Sequence, residues 1–276
     1  MTLTERQRAT YRDDGYLVLE SFIDAGACDA LRGRAAELVD AFDADAHRSV
    51  FTTDEQARKT DDYFLDSAED IRFFFEEEAV DATGALRVPK GGAINKIGHG
   101  MHDLDREFDR FSRAPRVAGL VADLGVADPR LVQSMYIFKQ PLIGGEVRCH
   151  QDATFLQTEP CTVVGLWFAL EDAHRDNGCL WAVPGGHRGG LTSRFVREGR
   201  KTRMETVAPA TWDEERRVPL EVPKGSVIVL DGRVPHMSEA NRSTASRQAY
   251  TLHVVPSASA WLPTNWLERK TPARGF

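Results

Sequence analysis

Apolar residues in the first half of the chain recur at helical spacing, whereas in the second half they form short strand-like runs. After Thr4, a candidate N-cap, Glu5 to Arg12 reads as a short helix and Gly15-Tyr16-Leu17-Val18-Leu19 as a strand. From Asp24 to Phe42 the residues Ala30, Leu31, Ala35, Leu38, Val39 and Phe42 keep helical steps, which predicts a helix with one face for a sheet. Ser49 to Glu69 is polar and without period and reads as a lid or surface connection. Ile71 to Phe75 predicts a strand, and Phe108 to Leu124 predicts one helix with Phe108, Phe111, Val117, Leu120 and Val121 on a stripe, stopped by Gly125.

Beyond Asp128 the period changes. Leu131–Lys139, Glu146–Leu156, Thr162–Leu170, Leu180–Val183, Val218–Val222, Ser226–Leu230 and Arg247–Val255 are β-rich runs separated by Gly, Pro, Asn or Asp. Such spacing indicates a sandwich or barrel. The expectation is one domain over 1–276: a helical layer over about 1–127, a β-rich core over about 128–256 and an extension over 257–276. The fold class is mainly β with flanking helices.

Composition narrows the function classes. A chain of 276 residues, 42% hydrophobic, can bury one large core. With 35 basic and 42 acidic side chains, a formal charge of -7 and no basic block, nucleic-acid binding gains no electrostatic support. No apolar run reaches the roughly 18 residues of a membrane span, and Met1 to Arg6 lacks a signal-peptide core, so a cytoplasmic protein is expected. Cys28, Cys149, Cys161 and Cys179 form no CxxC pair and read as reduced thiols.

The sharpest chemical feature is Cys149-His150-Gln151-Asp152. In extended chain, His150 and Asp152 face one way and Cys149 and Gln151 the other. An HxD triplet alone is weak, because a strand-end histidine is often simply hydrogen-bonded. A third ligand is available at His236, where the apolar run Val227 to Leu230 is followed by a turn. Two histidines and one aspartate form the facial set that holds Fe(II) with positions left open. Arg247, eleven residues beyond His236, offers a guanidinium fork for a carboxylate.

With these residues in place the sequence resembles the phytanoyl-CoA dioxygenase family over nearly its whole length. The resemblance is carried by Asp14-Gly15-Tyr16, Ile94 to His99, Gln133 to Pro141, Gly144 to Val147, His150-Gln151-Asp152, Asn177 to Trp181, Val183 to His187, Ser246 to Tyr250 and Asn265-Trp266-Leu267. It implies a double-stranded β-helix (jelly-roll, cupin-like) core, Fe(II) on His150, Asp152 and His236, and 2-oxoglutarate and dioxygen as co-substrates. By matching position, Lys96, Met135, Trp167 and Ser246 line the co-substrate pocket, with Arg247 on the far carboxylate. Gly186 departs from the family's usual Pro-Gly-Ser-His pattern, outside the ligand set.

The implied reaction is hydroxylation of a small molecule, with 2-oxoglutarate leaving as succinate and carbon dioxide. Asp152 speaks against halogenation, since related halogenases carry a small residue there. The alternatives are a catalytically silent module that binds metal and 2-oxoglutarate, and a cupin-like zinc or manganese enzyme, which gives no reason for Arg247. His187 follows a strand end near the site, where the readings are a ligand-orienting or pocket-lining role and, favoured over it, a structural one, while His47, His99, His102, His174 and His253 read as satisfied or exposed. The basic stretch 191–215, with Arg194, Arg197, Arg200, Lys201 and Arg203, reads as a solvated loop at the substrate mouth, which could favour an anionic substrate.

Overall fold

The computed structural model describes residues 2–46, 49–50 and 62–276. The strands, in chain order, are β1 Tyr16–Leu19, β2 Ser49–Val50, β3 Ile71–Phe75, β4 Ile94–His99, β5 Pro129–Ile137, β6 Val147–His150, β7 Thr158–Glu159 and β8 Val164–Ala169. They continue as β9 Leu180–Ala182, β10 Ser193–Glu198, β11 Lys201–Thr206, β12 Val218–Leu220, β13 Val227–Asp231, β14 His236–Ser238, β15 Ala249–Pro256 and β16 Ala260–Trp261. The longer helices are α1 Glu5–Asp14, α2 Ala25–Ala41, α3 Arg106–Ser112 and α4 Pro115–Asp123.

A large sheet runs β1-β13-β8-β15-β5-β4-β3-β2, antiparallel except for the β2–β3 pair, and faces a smaller antiparallel sheet, β12-β9-β14-β6. This is the double-stranded β-helix. Side-chain alternation sorts the large sheet's two faces into two cores. Leu166, Phe168, Val227, Val229, Tyr250, Leu252 and Val254 pack outward against Leu31, Ala35 and Val39 of α2, Phe108 of α3, and Val117, Leu120 and Val121 of α4. Trp167, Ala169, Ile228, Leu230 and Ala249 pack inward with Leu180 and Ala182 of β9 and Leu220 of β12.

Local chemistry fixes the helix ends. Thr4 and Gln7 form a capping box at the start of α1, and Gly15 closes it at φ 82. Asp24 caps α2 by accepting from the Ala27 amide. The stretch 108–124 is two helices, not one, because Pro115 supplies no amide for a continuing helix and instead opens α4 at its first position.

Three further segments differ from the sequence expectation. The run Glu146–Leu156 ends as a strand at His150, and Asp152–Phe155 is a single helical turn. The stretch 191–215 contains the β10–β11 hairpin, turned by Gly199 at φ 62. The large sheet also recruits β1, β2, β3 and β4 from the part expected to be a helical layer. Of the connection expected over 49–69, residues 51–61 lie outside the described residues, as does His47. Among the described residues no helix is long and apolar enough to cross a membrane.

Candidate metal centre and carboxylate pocket

Strand pairing brings the ligand candidates together. His236 of β14 lies opposite His150 of β6, and the two rings sit 4.2 Å apart between centroids. Gln151 keeps extended backbone (φ -114, ψ 133), so the alternation that aims Asp152 alongside His150 survives the end of the strand. Gln151 points away, donating from its amide to the carbonyls of Gly190 and Arg233 and accepting from the Thr192 amide. The Ala153 amide donates to the Gly232 carbonyl at 2.8 Å and clasps the two ligand-bearing stretches.

The donor atoms of His150, Asp152 and His236 lie within 4.8 Å of one another. Each histidine turns Nδ1 to a backbone carbonyl, Arg148 O at 2.9 Å and Val234 O at 3.1 Å. A carbonyl only accepts, so the proton sits on Nδ1 and the Nε2 lone pair is presented to the centre. Asp152 Oδ1 stands 3.7 Å from His150 Nε2 and 3.6 Å from His236 Nε2, longer than hydrogen bonds.

The protonation states suit a cation. Burial, with a contribution from His150, lowers the His236 pKa to about 4, so the ring is neutral at pH 7. Burial alone would raise Asp152, but the imidazoles of His236 and His253 outweigh it and hold the carboxyl well below its usual range. Neutral imidazoles and an ionised carboxylate are the ligating forms. The three residues therefore fit a divalent ion with an open side, and the His150 side chain, 24% exposed, marks that side.

The inner face of the large sheet supplies the second half of the site. Antiparallel register sets Trp167, Thr251, Met135 and Gly98 in one row across β8, β15, β5 and β4. The neighbouring row holds Ala169, Ala249, Ile137 and Lys96. Arg247 lies two residues before Ala249, just ahead of β15, and its Cζ stands 5.1 Å from the Trp167 ring. Its Nε donates to Gly178 O at 2.9 Å, whereas its Nη1 is buried without a hydrogen-bond partner. At 1% exposure, this cation forms no ion pair among the described residues, and Glu76 and Glu171 act on it only from beyond ion-pair distance. Burial lowers its pKa to about 10, which leaves it charged at neutral pH. An orphaned, buried guanidinium is costly unless an anion arrives.

The Ser246 hydroxyl is engaged elsewhere, donating to Glu171 Oε2 at 2.7 Å. Ser238, two residues beyond His236 and buried, is better placed and accepts from Lys139 Nζ at 2.9 Å. Lys139 is itself buried, and burial followed by the neighbouring Arg247 lowers its pKa to about 7. Neither residue stands out in a single sequence, because each lies inside a run that reads as strand or turn. His187 packs against Gly15 and bonds the Arg12 carbonyl, tying down α1. In the basic stretch, Arg197, Arg200 and Arg203 pair with acidic residues of this chain.

A double-stranded β-helix with two histidines and one carboxylate at its open end defines the jelly-roll class built around a mononuclear metal site. The chain belongs to the phytanoyl-CoA dioxygenase family, whose model matches residues 11–249. Phytanoyl-CoA dioxygenase 1 of Oryza sativa subsp. japonica is 46% identical, covering 98% of this chain and 96% of the relative. Phytanoyl-CoA dioxygenase domain-containing protein 1 of Danio rerio is 45% identical, covering 96% and 95%. Among solved structures, the non-heme alpha ketoglutarate dependent epimerase SnoN has a TM-score of 0.66 at 19% identity, covering 99% of this chain and 92% of that one. EctD from S. alaskensis, solved with 2-oxoglutarate and 5-hydroxyectoine, has a TM-score of 0.65 at 19% identity, covering 99% and 84%. At these identities the structural likeness bears on the fold.

Proposed function

We propose that the protein is an Fe(II)- and 2-oxoglutarate-dependent dioxygenase that hydroxylates a small molecule, with 2-oxoglutarate leaving as succinate and carbon dioxide. The observation that carries this reading is Arg247, a buried cation that forms no ion pair among the described residues and leaves Nη1 without a partner, beside Trp167 on the face that also carries Met135. A metal site alone would fit several chemistries. A metal site combined with a socket for a second carboxylate fits a keto diacid.

His150, Asp152 and His236 would hold the iron, which when bound supplies the activation of dioxygen. Arg247 would take the far carboxylate through its unpaired Nη1, with the Trp167 ring beneath the guanidinium keeping its plane fixed. Lys139 donates to Ser238, so that hydroxyl must use an oxygen lone pair there and keeps its own proton to donate to an anion. Lys96 and Met135 would complete the inner wall, on the two rows of that face that also carry the small Ala169 and Ala249. These groups bind, orient and exclude water. The substrate enters from the His150 side.

The test is incubation of iron-loaded protein with 2-oxoglutarate and a metabolite extract, followed by mass spectrometry. Iron-dependent succinate together with a species gaining one oxygen is expected. Absence of succinate in both the presence and the absence of extract overturns the reading.

A further inference from the structure

His253 belongs to the metal site without being one of its ligand candidates. It lies on β15, buried at 4% exposure, on the same face as Thr251, and its Nε2 is 3.2 Å from Asp152 Oδ2. The two oxygens of Asp152 are thereby divided. Oδ1 faces His150 and His236, and Oδ2 faces His253. An ionised carboxylate only accepts, so the proton of His253 sits on Nε2. Its Nδ1 is buried without a partner, which suits a bare lone pair better than a buried N–H.

The opposite strand makes room for this contact. Gly165 of β8 is in register with His253, and a Cβ there would come 2.9 Å from Asp152 Oδ2 and 3.7 Å from His253 Cδ2. Real side chains do not tolerate the first distance. Asp152 therefore rests on the bare backbone of Gly165, with His253 beside it.

We infer that His253 is a positioning residue. By donating Nε2–H to Asp152 Oδ2, over the gap left by Gly165, it holds the carboxylate with Oδ1 alone turned to the metal. A carboxylate bound through one oxygen leaves coordination positions for a chelating keto acid and an oxidant. The inference rests on the proposed metal site. Its energetic effect belongs to the outer shell of a metal site, where losing a partner typically weakens metal binding by about 10–100-fold.

The experiment titrates apo protein with Co(II), following the visible absorption of the bound ion and its affinity, alongside far-UV circular dichroism as a fold check. His253→Leu should weaken Co(II) by about tenfold or more and change the absorption envelope, as a freed Oδ2 alters the coordination. His253→Gln, which can still donate, should recover most of the affinity and the wild-type envelope. Gly165→Ala should weaken Co(II) from the other side with His253 intact. Wild-type affinity and spectrum in His253→Leu, or a loss in that variant that Gln does not rescue, overturns the inference. His236→Ala serves as the control for the site itself. Wild-type binding in that variant removes the metal site, whereas its loss beside a wild-type His253→Leu removes only the role of His253.

Discussion

Two buried cations set the electrostatics of the inner pocket. Arg247 has no carboxylate partner among the described residues, and removing it should cost 2-oxoglutarate about 2–5 kcal/mol of binding, as for truncating one partner of a buried charge pair. Calorimetry of Arg247→Ala with Mn(II) in place of iron measures it, and unchanged affinity contradicts the role. Lys139 adds a pH dependence. Its pKa, lowered by burial and by Arg247 to about 7, leaves it largely neutral at pH 8 in the free protein. An arriving carboxylate favours the ammonium form, so binding takes up a proton above pH 7 and affinity falls from pH 7 to 9. Titrations at pH 8 in buffers of different ionisation heat should show uptake that disappears in Lys139→Met; no uptake in the wild type contradicts it. The convergence of His150, Asp152 and His236 was legible because a two-residue step and a strand-turn-histidine pattern carry chemical meaning without coordinates. His253 was not, since a histidine amid Leu252, Val254 and Val255 has the appearance of core and its partner is 101 positions away. Nor does a single sequence reveal that the Ser246 hydroxyl is taken up by Glu171, a partner 75 positions away.

The elements with clean period or clear caps, α1, α2, β3 and β13, could be read from the chain within a residue or two. Those that escaped carry polar residues in buried positions or long charges at the surface. All of β4 is buried even though it includes Asn95, Lys96 and His99, and β10 hides Phe195 and Val196 among arginines. The β10–β11 hairpin is pinned at Arg197, whose Nη1 donates to Leu65 O at 2.7 Å and Trp266 O at 2.9 Å, with Glu268 within 3.4 Å of Nη2. Arg197→Met should cost about 3 kcal/mol, the scale for lost hydrogen bonds from a buried charged group. Urea denaturation would register this as a lower midpoint, with Co(II) affinity unchanged. A loss of metal binding without a loss of stability would place Arg197 in the site instead of under the hairpin.

For the molecule as a whole, the helix-then-strand reading captured the two faces of the β-helix but not the extent of its large sheet. That sheet gathers β1, β3 and β4 from before residue 100, an arrangement fixed by long-range pairing that no local pattern encodes. The two histidine ligands sit on the smaller sheet and Arg247 just ahead of β15 of the large one, so occupancy should tighten the entire β-helix. Mn(II) with 2-oxoglutarate at roughly 100 times its dissociation constant should stabilise by about 2.7 kcal/mol. For a chain of this size that is a melting shift of roughly 5–10 °C, reversed by a chelator, while absence of any shift argues against a built site. The most direct measurement is anaerobic absorption spectroscopy of the protein with Fe(II) and 2-oxoglutarate. The wild type should develop a weak visible charge-transfer band, Asp152→Ala and His236→Ala should lack it, and Arg247→Ala should need far more 2-oxoglutarate to reach it. A band of wild-type intensity in both ligand variants would contradict the account.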